Sequence, residues 1–192
     1  MSRRLLTLVA LALAGLLTAG CADDVSPAVR VGDTKIGTAD FQAELDEWVG
    51  NPALVDPQLN QAGAPGAYSG SLVRGVLGQR IDLMLNDQEF EAQGLELDDS
   101  MRQQAIAVVF GDQATADQQL KGFSADYASS ILDDLARQIA LSTALGEEAY
   151  TAWRTDAYAT TDIEVSPRYG TWDGSTGAVL APAAPLPGPA GT

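Results

Sequence analysis

Apolar positions along this chain follow a few distinct rhythms. Residues 28–36 alternate: Ala28-Val29-Arg30-Val31, then Gly32-Asp33, then Thr34-Lys35-Ile36. A period of two around a Gly-Asp turn predicts a small β-hairpin. The period then changes. Phe41, Leu45, Trp48 and Val49 stand at i, i+4, i+7 and i+8, one apolar stripe of a helix. Thr38 is the expected N-cap, and Asp40 suits a first turn, where negative charge meets the positive end of the helix dipole. Gly50-Asn51-Pro52 stops the helix. Residues 51–67 hold Pro52, Pro57 and Pro65 with Gly63 and Gly66, and predict a long loop.

A second helix is expected from Ser69 or Ser71 to about Gln93, burying Leu72, Val73, Val76, Leu77, Ile81, Met84 and Leu85. Gly75 and Gly78 each cost about 1 kcal/mol of helix propensity against Ala, which points to close packing of a neighbouring helix. Gly94 is a natural residue just past the helix end. Asp98 caps a short helix carrying Met101, Ile106 and Val109, which Gly111 ends. Residues 113–121 add a further turn or two. Ser124 then opens the longest element, about 125–158, with Tyr127, Ile131, Leu135, Ile139, Ser142, Leu145, Ala149 and Trp153 on one face. At 1.5 Å per residue such a helix is roughly 50 Å long, so it extends beyond the body or bends. Ile163-Glu164-Val165 reads as a short strand. Residues 167–177 are turn-rich, and 181–192 are a Pro/Gly/Ala tail expected to be disordered or partly polyproline II. The fold class is mainly α, with a small β-sheet.

The N-terminus carries the most specific signal. Met1-Ser2-Arg3-Arg4 precedes an apolar run from Leu5 to Leu17, then Thr18-Ala19-Gly20 and Cys21. That is the layout of a secretory signal, with an apolar run shorter than the roughly 20 residues of a membrane span. Small residues followed directly by cysteine resemble a lipobox, the processing signal of bacterial lipoproteins, with Thr18 where leucine is usual. The resemblance implies a signal peptide over 1–20, lipid (palmitate-type acylation) on Cys21 and a tether over 21–28. It also implies a protein held at the extracytoplasmic face of the cell membrane. Stable anchoring of this kind needs two or more acyl chains.

Composition narrows the chemistry. The net charge is −15, and a cut before Cys21 removes Arg3 and Arg4, leaving the mature chain more acidic still. Phosphate backbones and anionic headgroups repel such a chain, which excludes nucleic acid as a partner and leaves membrane contact to the lipid. Histidine is absent, so Ser-His-Asp and Cys-His catalysis and imidazole metal ligation are excluded. Cys21 is the only cysteine, and the core must hold without disulfides. No cofactor, metal ligand set or catalytic residue is expected. The adjacent carboxylates Asp23-Asp24, Asp98-Asp99, Asp133-Asp134 and Glu147-Glu148 point about 100° apart on a helix and read as solvated faces or caps. Asp173-Gly174-Ser175-Thr176-Gly177 hints at a cation loop but lacks the ligand spacing of one, and reads as a turn. Arg168 and Trp172 flank that turn, with Arg168 free to contact a partner, an acidic neighbour or an aromatic ring.

The order of Val29-Arg30-Val31-Gly32-Asp33-Thr34-Lys35-Ile36, Thr38-Ala39-Asp40-Phe41 and Glu91-Ala92-Gln93-Gly94-Leu95-Glu96-Leu97-Asp98 resembles the chaperone part of SurA/PrsA-type extracytoplasmic foldases. Val165-Ser166-Pro167-Arg168-Tyr169-Gly170-Thr171-Trp172-Asp173 resembles the closing segment of lipoprotein members. The resemblance covers about 28–173, placing the helical domain at 29–173 and a disordered tail at 174–192. It implies an N-terminal strand paired with one near the C-terminus, and binding of unfolded, partly folded or assembling exported proteins. The parvulin isomerase domain of many members needs about 90 further residues and does not fit, so no enzyme activity is expected.

A surface that holds unfolded chains needs an adaptable apolar cradle. Trp48, Tyr150, Trp153 and Tyr158 are the candidate client-binding residues, with core packing as the competing role of each. The leading functional reading is a lipid-anchored, non-enzymatic chaperone-like protein. The alternative is an envelope adaptor with one specific protein partner. A hydrolase using carboxylates alone requires buried carboxylates with raised pKa in one cleft. Solute capture would need two α/β lobes, which the pattern lacks.

Overall fold

The computed structural model describes residues 27–51 and 68–182. Cys21 with its signal peptide, the proline-rich part of the 51–67 loop and residues 183–192 lie outside the described residues. In chain order the elements are β1 Val29–Val31, β2 Thr34–Ile36, α1 Thr38–Gly50, α2 Gly70–Ala92, α3 Asp99–Val109, α4 Gln113–Leu120, α5 Ala125–Leu145, α6 Glu147–Thr160, β3 Ile163–Val165, β4 Thr171–Asp173 and β5 Ala178–Leu180. The protein is mainly helical, with a small antiparallel sheet that pairs a strand near the N-terminus with one near the C-terminus.

β1 is the middle strand of a sheet ordered β2-β1-β3. Arg30 lies opposite Lys35 on one side and Glu164 on the other. Its guanidinium bridges Asp162 and Glu164 at 3.0 and 2.9 Å, clamping the segment that follows α6 to β1. Val29 and Val31 point the other way and are fully buried. They meet Phe41 and Leu45 of α1, the Leu72–Leu85 face of α2, Ala157 of α6 and Val179 of β5 in the main core. A smaller core gathers Phe90, Leu141 and Tyr150, flanked by Leu95, Leu97 and Met101. α5 packs on α2 and α3, and so links the two.

Capping follows the sequence at three helices, and Asp112 adds a fourth cap at α4. Ser69, Asp98, Asp112 and Ser124 accept the backbone N–H of Leu72, Met101, Thr115 and Tyr127 respectively. α1 differs: Gly37 occupies the cap position, no side chain caps the helix, and Thr38 is already its first helical residue.

The expected long helix is two helices. Gly146 stands between α5 and α6 with φ +83° and ψ 151°, a backbone region open in practice to glycine alone. Its N–H closes α5 on the Ser142 carbonyl, and its own carbonyl accepts the Tyr150 N–H to start α6. The break shifts the inward face, so Ala149 is exposed while Tyr150, Trp153 and Ala157 turn toward the cores.

The fold also runs past the predicted boundary at 173. β4 and β5 form a hairpin across Asp173-Gly174-Ser175-Thr176-Gly177, and Val179 is buried. The Asp173 carboxylate accepts the Ser175 N–H and the Ser175 and Thr176 hydroxyls, as a turn would. Gly177 has φ +64°, and a Cβ there would stand 2.5 Å from the Tyr158 ring. Among the described residues, outside their own helix turns, nothing lies within 4 Å of a Cβ position at Gly75 or Gly78, so no described helix packs on them. They face an open cleft between α2, α6 and β5.

Candidate functional site

The four aromatics expected to line a client cradle do not meet on one surface. Trp48 packs edge-to-face on Phe123, 5.5 Å between centroids, and its indole N–H donates to the Tyr127 hydroxyl at 2.8 Å. Tyr150 is 9% exposed, and its hydroxyl donates to Oδ1 of Asn86, which is itself buried. Trp153 lies between the two cores beside Tyr150. Tyr158 donates to Asp82 at 2.6 Å and meets Trp172 edge-to-face. The physical reason is common to all. Their apolar rings fill gaps between helices, and the polar tips of Trp48, Tyr150 and Tyr158 find partners inside the fold. Arg168 stacks 5.5 Å over the Tyr169 ring.

The structure instead presents a groove of about 590 Å³ between β2 and α1 on one side and the start of α5 on the other, floored by α2. Ile36, Ala43, Met84 and the Tyr127 ring supply its apolar surface. Asp40, Glu47 and Asp126 supply an acidic rim, with Lys35 at the strand edge. Local sequence sets these positions. Asp40 and Asp126 sit in the first turns of α1 and α5, where the helix dipole favours carboxylates. Glu47 reaches across to the Ser124 backbone N–H and hydroxyl, fixing the start of α5 against α1.

Beneath the groove lies a buried ionic network. Glu44, 8% exposed, accepts from Arg80 Nε at 3.1 Å and from the Tyr127 hydroxyl at 3.0 Å. Arg80 also approaches Asp134 at 3.7 Å. Arg137 bridges Asp134 at 3.1 Å and Asp87 at 3.6 Å. Burial, with Asp87 beside it, pushes the Asp134 carboxyl up to about 6, against the pull of the two arginines. Burial raises Asp87 as well. Burial also pushes the Tyr127 hydroxyl up, reinforced by Glu44, which keeps it a proton donor. Asp133 pairs with Arg102 of α3. Asp133 and Asp134 therefore join helices to one another, where the sequence reading had them on a solvated face.

A raised carboxyl in a cleft is also what a carboxylate hydrolase would need. Here Asp134 is held by two arginines, and the space around it, walled by Leu83, Ile131 and Leu135, measures only about 80 Å³. Ligand sites run to about 300 Å³ or more. The geometry is that of a structural network supporting the groove floor. Among the described residues no group of three or more His, Cys, Asp or Glu is placed to hold a metal ion.

Sequence reasoning passed over Glu44 and Arg80. Their signal was a charge inside each apolar stripe: Glu44 three residues after Phe41 and four before Trp48, and Arg80 between Leu77 and Met84. A charge of opposite sign in the buried face of each of two helices marks a buried pair. No family model, curated protein or solved structure matches this chain.

Proposed function

We propose that this chain is a lipid-anchored extracytoplasmic protein that binds unfolded or partly folded exported polypeptides and catalyses no reaction on them. The observation that carries the reading is the open groove between β2, α1 and α5, with apolar surface from Ile36, Ala43, Met84 and the Tyr127 ring and a charged rim. Its shape suits a length of chain better than a small molecule enclosed on all sides. A polypeptide-binding surface needs no nucleophile or proton relay, and Glu44, Glu47, Arg80 and the Tyr127 hydroxyl of the groove are engaged in holding helices together. The lipobox-like N-terminus supports the location, and the order of strands and helices supports the foldase-like reading without its isomerase domain. The proposed anchor is the lipid on Cys21; among the described residues no helix is long and apolar enough to cross a membrane.

The ion pairs under the groove favour a second reading, an adaptor with one partner. A floor fixed by Arg80 between Glu44 and Asp134 is rigid, and rigid sites discriminate more than adaptable ones.

The test uses the mature chain from Ala22, without lipid, added to an exported protein that aggregates on refolding, with light scattering as the readout. Suppression is expected near equimolar ratio. Ala43 is an exposed α1 residue in the groove, so Ala43→Trp fills the groove without touching the core. It should weaken suppression several-fold while leaving the circular dichroism unchanged. A folded wild type that suppresses nothing rejects the general reading and favours the adaptor, which crosslinking at Ala43 would then reveal as one saturable partner.

A further inference from the structure

We propose that the free edge of β2 and the acidic groove beside it form a strand-addition site for extended polypeptide segments that carry lysine or arginine among apolar residues. The inference rests on the polypeptide-binding reading above and specifies its site and the chemistry of its clients.

The edge follows from the ladder. Among the described residues β2 has one neighbour in its sheet, β1. On the far side of β1, the Gly32 N–H bonds the Asp162 carbonyl and the Ser166 N–H bonds the Ala28 carbonyl. In that register Arg30 directs its backbone groups to β3, and Val29 and Val31 direct theirs to β2, where the Ala28 N–H also bonds the Ile36 carbonyl. Lys35 lies opposite Arg30, so its own N–H and carbonyl point away from β1 toward the open edge. Lys35 and Ile36 both border the groove. An added segment would take main-chain hydrogen bonds from Lys35 and lay its side chains along the groove, with affinity from the backbone and selection from the pockets.

Charge selects the occupant. Asp40, Glu47 and Asp126 ring the groove, and Arg80 beneath is already paired with Glu44 and Asp134. The whole chain carries −15, so a second copy is repelled from this edge, and Lys35 adds the usual guard against self-pairing of exposed strands. A basic extended segment is attracted instead, and Ile36, Ala43 and Met84 receive its apolar residues.

The experiment measures fluorescence anisotropy of a labelled ten-residue peptide of alternating valine and lysine against the mature chain with Cys21 left unacylated. Two control peptides replace lysine by glutamate, or carry N-methyl groups on alternate backbone nitrogens. The protein variants are Asp40→Asn with Asp126→Asn, and Glu148→Gln on α6 as a remote charge control. The lysine peptide is expected to bind, weakening with salt. The glutamate and N-methyl peptides should bind at least tenfold more weakly, as should the lysine peptide to the double variant, while Glu148→Gln changes nothing. Binding that ignores both N-methylation and the rim charges overturns the site. If scattering is suppressed but no basic peptide binds, this site is wrong and the client-binding reading stands. If the peptide binds as described but no aggregation is suppressed, the site stands and the client-holding reading fails.

Discussion

Replacing Asp134 by asparagine should remove a defined part of the protein's pH-dependent stability. The side chain is 13% exposed and lies between α2 and α5 with Arg80, Arg137 and Asp87 around it. Glu44 faces the same network from α1. In the unfolded chain the carboxyl titrates near its ordinary 3.8, and in the folded chain near 6. Between those values the folded state holds a proton that the unfolded state has lost. Stability from this group is therefore highest at acid pH and falls as pH rises through the folded value. From about pH 5 to pH 8 the loss is about 1.4 kcal/mol. Asp87, also raised by burial, shifts stability in the same direction. Urea unfolding followed by far-ultraviolet circular dichroism at both pH values measures it. The wild type should be less stable at the higher pH, and Asp134→Asn should shrink that difference by about 1.4 kcal/mol. Asp98, Asp112 and Asp173 are shifted downward, so they titrate below this window and do not obscure it. Identical pH dependence in wild type and variant would refute the reasoning, because Asp134 would then be ionised in the fold throughout.

Other substitutions test the scaffold. Gly146→Ala forces a Cβ into the glycine-only backbone region between α5 and α6 and should cost about 1–3 kcal/mol in urea unfolding. Tyr150→Phe leaves the buried Asn86 carbonyl oxygen without its hydroxyl donor, an expected loss of about 1–3 kcal/mol by the same measurement. Gly177→Ala drives a methyl against the Tyr158 ring and should cost about 1–3 kcal/mol from overpacking alone, with loss of the near-ultraviolet signal of the Tyr158–Trp172 pair. Tyr127→Phe removes the acceptor of the Trp48 indole N–H and should shift tryptophan emission with the helical content unchanged.

Local chemistry was the legible part of the sequence. The Val29–Ile36 hairpin, the Ser69, Asp98 and Ser124 caps and the Leu72–Leu85 face each depend on residues within one turn or one strand of each other, and each is present. Pairing of the first strand with Ile163–Val165 was expected only through the family resemblance, since nothing in the periodicity of either strand selects the other. The break at Gly146 was hidden because Leu145 and Ala149 continue the helical spacing across it, and a glycine's φ is not written in its neighbours. The β4–β5 hairpin was hidden by its length: three-residue strands around an Asp-Gly-Ser-Thr-Gly turn carry too few alternations to register. The groove was illegible for a different reason. It is assembled from β2, α1, α2 and α5, and only tertiary packing brings Asp40, Glu47 and Asp126 to one rim. The aromatics were placed in a cradle by their chemistry alone, whereas Asn86, Asp82 and Tyr127 offered their polar tips partners inside the fold.

The most direct test of polypeptide binding compares two forms of one exported protein, labelled and titrated with the mature chain: native, and kept unfolded by removal of its disulfides. Anisotropy should rise with the unfolded form and stay flat with the native form, and Ala43→Trp should weaken the unfolded-form binding several-fold. Equal binding of both forms, or of neither, would contradict the account.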